Sequence, residues 1–192
     1  MEPQKFTNTK SSVEESQSSP SALQELFDTT RTVSTSESHL YNLARQIQHN
    51  LEFQHAWGEM IIHDHSPITQ NKLPRPLIAG LPPKRLYIHP DEQIELLKHE
   101  KGEISSHPEM EWVLPTHVTE NWSLQALAEI FDAVETVPPL SSHSLNQNID
   151  KEVGWQWRGP HRQKRLLLAT LHDDSTVVYY IVHDGIVKPR QN

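Results

Sequence analysis

Residues 164–182 read "KRLLLATLHDDSTVVYYIV", and this stretch decides the fold. Two apolar runs flank a short acidic segment, His172, Asp173 and Asp174. Runs of this length and composition, separated by a few turn-forming residues, predict a β-hairpin. In the first run Leu166 and Leu168 fall on one side and Leu167 and Ala169 on the other, so both faces are apolar. Strands of that kind lie inside a sheet that is covered on both faces. The second run, Thr176–Val182, is the most strand-prone segment of the chain. It lies almost at the C-terminus, where chains usually fray. Gly185 and Pro189 punctuate the tail that follows.

Immediately upstream stands "GWQWRGPHRQKR", residues 154–165, the basic and aromatic part of the chain. Trp155 and Trp157 can stack on unpaired bases, and Arg158, Arg162, Lys164 and Arg165 can neutralise phosphates. The alternative is that the tryptophans pack over the sheet while the charges stay in solvent. The residues alone leave both readings open. The formal net charge of −8 argues against a protein that binds nucleic acid by itself.

Farther upstream the signals alternate between helix and strand. Leu40, Leu43, Ala44, Ile47 and Leu51 form one stripe and predict a helix from about Ser36 to Asn50. Ser34 and Glu37 precede it at capping-box spacing. "AWGEMIIHD" predicts a strand centred on residues 60–62. "HSPITQNKLPRPLIAGLPP", residues 65–83, reads as a long proline-punctuated loop, "KRLYIHP" as a strand that Pro90 ends, and "DEQIELLKHEKG" as a short helix. "EWVLP" is a further short strand. Ser123 is placed to cap a helix over residues 124–135, with Leu124, Leu127, Ala128, Phe131 and Val134 as its stripe. Residues 1–35 are rich in Ser, Thr, Glu and Gln and are expected to be mostly disordered. The remainder, 36–192, is expected to form one mixed α/β domain with mobile loops near 63–83 and 138–154.

The chemistry is sparse. There are no cysteines, which excludes disulfides, thiolate metal sites and Cys nucleophiles. "HDH", His63–His65, is the densest group among 13 histidines and of a type that suits zinc or iron, but its spacing is not diagnostic and it reads as a solvated loop. No pattern implies a cofactor, and no apolar run approaches the length of a membrane span. Asp173 and Asp174 sit where solvent would keep both ionised, so they read as turn residues or as an acidic knob for a basic partner.

"KRLLLATLHDDSTVVYYIVHDGIVKP" resembles the C-terminal hairpin of tRNA-splicing endonuclease subunits, in particular the smallest, non-catalytic subunit of the eukaryotic enzyme. Weaker similarity extends through "WVLPTHVTENWSLQALAEIFDAV" and the first helix. The resemblance implies a restriction-endonuclease-like mixed sheet flanked by helices, within a heterotetramer of two catalytic and two structural subunits that removes introns from precursor tRNA. It implies that Thr176, Val177, Val178, Tyr179, Tyr180, Ile181 and Val182 form an interface strand that pairs with a neighbouring subunit. His172, Asp173 and Asp174 match a loop that docks into a basic pocket. It also implies a nuclear location, with the cytosolic face of the mitochondrial outer membrane as the alternative. Without its partner the exposed edge should favour self-pairing, so a homodimer is expected of the isolated chain.

Catalytic members use a Tyr, a His and a Lys. Lys164 falls near the Lys position. The segment expected to carry the other two is "PPLSSHSLNQNIDKEVGWQW", which has no tyrosine, and His143 and His161 are the nearest histidines. A lone lysine cannot supply both proton transfers, so no catalytic residue is expected here.

Overall fold

The computed structural model describes residues 35–99, 107–139 and 153–187. Helix α1 (Thr35–His55) is followed by strands β1 (Gly58–His65) and β2 (Lys72–Leu81), helix α2 (Pro90–His99) and strand β3 (Glu111–His117). Helix α3 (Leu124–Ala133), two 3-10 turns (Trp155–Trp157 and Gly159–His161), β4 (Arg165–Leu171) and β5 (Val177–His183) complete it. The expected mixed α/β class is what is observed.

The five strands form one sheet in the order β1-β2-β3-β4-β5. β3 and β4 pair in parallel, and every other neighbouring pair is antiparallel. The parallel step requires a crossover, which the segment containing α3 and the 3-10 turns supplies.

The central strands are buried on both faces, as the apolar character of β4 requires. Trp112, Leu114 and Leu166 meet Ile130, Phe131 and Val134 of the α3 region on one face. Val113, Leu167 and Ala169 meet Ala44, Ile47 and Leu51 of α1 on the other. Burial of the Leu, Ile, Val and Phe side chains contributes about 1.5–3 kcal/mol each, so the two layers hold the sheet against its helices.

α1 runs five residues beyond the expected end, and Leu43, Ala44, Ile47 and Leu51 are its buried stripe. Ser123 caps α3 as expected, its Oγ accepting from Ala126 N at 3.1 Å. The buried face of α3 is turned relative to the expected stripe: Ile130 and Phe131 are buried, while Leu124 is almost fully exposed.

Two expectations are corrected. The segment 65–83, expected to be loop, contains the ten-residue strand β2. Pro74 and Pro76 are tolerated because β3 reaches only Ile78–Gly80 and the β1 register is irregular between His63 and His65. "KRLYIHP", expected to be a strand, forms none before Pro90. There the Arg85 side chain is turned inward onto Glu92 rather than held in a sheet. Most of the loop expected near 138–154, and the whole N-terminal tail to residue 34, lie outside the described residues.

No helix among the described residues is long and apolar enough to cross a membrane. Nor do three His, Asp or Glu side chains converge among them as a metal site would need. Asp64 and His65 pair with each other at 2.9 Å.

Candidate subunit interface

β5 is an edge strand. Among the described residues it is paired on one side only, to β4, through an unbroken seven-residue register from Leu171↔Val177 to Arg165↔His183. No β5 residue is fully buried, and Tyr180 is 59% exposed. An apolar strand left half-covered along its whole length is a template for pairing with another chain.

The register also shows which main-chain groups are turned outward. Antiparallel pairs alternate between hydrogen-bonded and non-hydrogen-bonded. His172 N donates to Thr176 O at 2.8 Å, and Asp184 N donates to Lys164 O at 2.9 Å. Counting inward from both ends, the N–H and C=O groups of Val178, Tyr180 and Val182 face β4. Those of Val177, Tyr179 and Ile181 face the open edge.

The side chains are divided differently. Val177, Tyr179 and Ile181 pack against the α1 layer, and Val182 packs against the α3 layer. The Tyr179 hydroxyl donates to Asn50 Oδ1 of α1 at 2.5 Å, and burial pushes the phenol up to about 12. The strand is thus anchored by its own helix while its backbone edge stays open.

The opposite edge of the sheet is built differently. β1 has register shifts between Gly58 and Ile61 and between His63 and His65, and Glu59 adopts a positive φ of 48°. Irregularities of this kind, with Glu59 and Asp64 on the strand, blunt an edge against pairing.

The turn joining β4 to β5 uses its acidic residues unequally. Ser175 N donates to His172 O at 3.0 Å, and Ser175 then takes a left-handed φ of 67°. This is the turn-plus-αL geometry common in short hairpin loops. Asp174 Oδ1 accepts from Thr176 N at 2.9 Å, and that bond holds its carboxyl below the usual range. Asp173 is 81% exposed, with Oδ1 at 3.4 Å from His117 Nε2. Asp174 therefore shapes the turn, and Asp173 is the carboxylate presented outward.

The arginines of the basic stretch turn inward, whereas both readings of the sequence left its charges at the surface. Arg158, Arg162 and Arg165 are buried. Glu92 accepts from both Arg85 and Arg158. Arg162 donates to Glu109, to Glu111 and to the carbonyls of Met110 and Thr136. Arg165 donates to both oxygens of Glu111. Burial alone would raise the Glu109 carboxyl, but the Arg85 and Arg162 charges outweigh it and hold the group below its ordinary value. Guanidiniums committed to buried carboxylates are poor phosphate ligands. Their work is to tie α2, the starts of β3 and β4, and the 3-10 turns into one unit.

Residues 46–192 match the family model described as Sen15 protein. The chain belongs to the Sen15 family. It is 51% identical over 162 residues to the "Probable tRNA-splicing endonuclease subunit tsp-1" of Neurospora crassa, covering 82% of this chain and 69% of the relative. It is 26% identical over 153 residues to the "Probable tRNA-splicing endonuclease subunit sen15" of Schizosaccharomyces pombe, covering 79% and 84%. The recognised resemblance is thereby shown, and the chain is a tRNA-splicing endonuclease subunit of the Sen15 type.

In this Sen15 family member Lys164 precedes β4, and its carbonyl is tied to Asp184. His161 packs edge-on against Trp155 at 4.9 Å. His143 lies outside the described residues. Trp155 is partly exposed, and Trp157 is half-buried and stacked on His89 at 5.6 Å. Sequence reasoning missed Arg85, Glu92, Glu109 and Glu111, whose pairing joins positions up to 66 residues apart. No local spacing carries that signal.

Proposed function

We propose that this chain is a non-catalytic structural subunit of a heterotetrameric tRNA-splicing endonuclease, and that it supports intron removal from precursor tRNA by pairing β5 with a catalytic subunit. The observation that carries this reading is the contrast between the two sheet edges: β5 is regular, apolar and open, whereas β1 is irregular and charged. Pairing through the outward groups of Val177, Tyr179 and Ile181 would extend the sheet across the interface. Main-chain bonds would set the register, and apolar burial would supply most of the affinity. Asp173 is the residue proposed to dock into a basic pocket of the neighbour, with His172 and Asp174 shaping the loop that carries it. The same open edge would let the isolated chain form a homodimer. A restriction-endonuclease-like ancestry of the sheet and a nuclear location complete the proposal.

The absence of a tyrosine between Pro138 and Trp157 supports the non-catalytic part, since the acid–base pair that works with a Lys is then incomplete. The test is incubation of the isolated chain with intron-bearing precursor tRNA, beside co-purification of the other endonuclease subunits from cells. The reading expects no cleavage and recovery of all three partners. Specific cleavage by the isolated chain, lost on Lys164→Ala, would replace it with an active nuclease.

A further inference from the structure

At the end of the sheet where β4 begins and β5 ends there is a cleft of about 340 Å³. Two buried arginines, Arg162 and Arg165, and three histidines, His89, His161 and His183, line it. No carboxylate is among the described lining residues. The cleft presents three imidazoles beside arginines that are already ion-paired to Glu109 and Glu111.

Its walls are aromatic. His89 lies parallel to Trp157 at 5.6 Å and 10°. Tyr87 meets His183 edge-on at 4.8 Å, with the Arg165 guanidinium over the Tyr87 ring at 5.4 Å. His183 Nε2 is buried and has no hydrogen-bond partner among the described residues. A buried polar atom left without a partner is a cost that a ligand can recover. Gln163, also at the cleft, spends its amide N–H on the carbonyl of Asp184. The volume suits one nucleotide-sized group rather than a macromolecular surface.

We propose that this cleft binds a nucleotide: its phosphate beside the His183 and His161 imidazoles, and its base against the Trp157 and Tyr87 rings. Imidazole N–H donors recognise the phosphate, and flat rings recognise any base by stacking, so the site is tolerant of sequence. The source of the nucleotide is either a flipped residue of an RNA strand or a free mononucleotide. Apart from His183, the last residue of β5, the cleft uses no residue of the proposed interface strand. It also differs from an RNA surface made by the basic stretch, because Arg158 and Lys164 take no part.

The full-length chain, labelled with ¹⁵N in its five tryptophan indoles and ¹³C in its histidines, is titrated with inorganic phosphate, a nucleoside 5′-monophosphate and a short single-stranded RNA. The proposal expects the monophosphate to move the Trp157 indole and His183 signals together and to bind at least about tenfold more tightly than phosphate, the added increment being base stacking. RNA binding tighter than the monophosphate identifies the strand as the source, and equal or weaker binding identifies the free nucleotide. Gln163→Glu, which sets a carboxylate at the cleft without touching the buried ion pairs, should weaken binding at least about tenfold. His183→Gln, which keeps a polar side chain but removes the imidazole, is the second variant. Absence of shifts at Trp157 and His183 at about 10 mM ligand, equal affinity for phosphate and monophosphate, or unchanged binding by both variants would each overturn the proposal.

Discussion

The Tyr179 hydroxyl is bonded to Asn50 Oδ1 across 129 positions of sequence, and it fastens the edge strand to the first helix. The side chain is thus engaged within the chain while the Tyr179 main-chain groups face out. Tyr179→Phe removes one hydrogen bond and should cost about 1 kcal/mol, read as a small fall in Tm. It should leave assembly intact, since the outward backbone is unchanged.

Tyr179 also sets an alkaline limit. Its folded value, raised to about 12 by burial, exceeds the ordinary value of 10.0, so folding favours the protonated phenol. That stability is fully present below pH 10 and is lost as pH rises from 10 towards 12. Denaturation midpoints across that window should fall less steeply in Tyr179→Phe than in the parent chain.

Glu111 is 2% exposed and bridges Arg162 and Arg165. Glu111→Gln preserves shape but leaves two buried cations with a neutral partner. Breaking a buried pair from one side costs about 3–5 kcal/mol. Thermal unfolding should move down on the order of 10 °C for a domain of this size. A shift within 1–2 °C (about the effect of an exposed pair) would show that the cluster relaxes or admits water.

Glu109 and Glu120 set an acid limit. Burial opposes ionisation of both, but the neighbouring arginines, Arg75 in the case of Glu120, hold their carboxyls below the ordinary value of 4.5. A depressed folded value means stability that is full above pH 4.5 and declines as pH falls through it. Glu109→Gln should be less stable than the parent at pH 7 but should lose less on acidification, as unfolding midpoints at both pH values will show.

The two acidic turn residues separate stability from docking. Asp174→Ala removes the acceptor for Thr176 N and should lower Tm slightly. Asp173→Ala should leave Tm unchanged while weakening capture of a catalytic subunit in a pull-down. Unfolding of Asp173→Ala, or capture equal to that of the parent chain, would remove Asp173 from the interface.

The hairpin and the two-sided burial of β4 were readable because they are local: a run of apolar residues, a turn, another run. α3 was readable at its start because Ser123 makes a local bond. β2 was obscured by Pro74 and Pro76, which are ordinarily strand breakers. They are accommodated only because β3 pairs with the other end of β2, and that is a tertiary fact. The basic stretch misled for a similar reason. Arg158, Arg162 and Arg165 look like surface cations until Glu92, Glu109 and Glu111 are brought to them by the sheet. The interface strand itself was legible as a strand, but its open edge depends on sheet order, which no periodicity encodes.

The account stands most directly on amide hydrogen exchange, residue by residue, at Val177, Tyr179 and Ile181 in the complex with a catalytic subunit. These are the β5 amides that face away from β4. The account predicts that all three exchange freely in the chain diluted to a monomer and become as protected as those of Val178, Tyr180 and Val182 on assembly. Rapid exchange at all three while the complex remains intact would contradict pairing through β5.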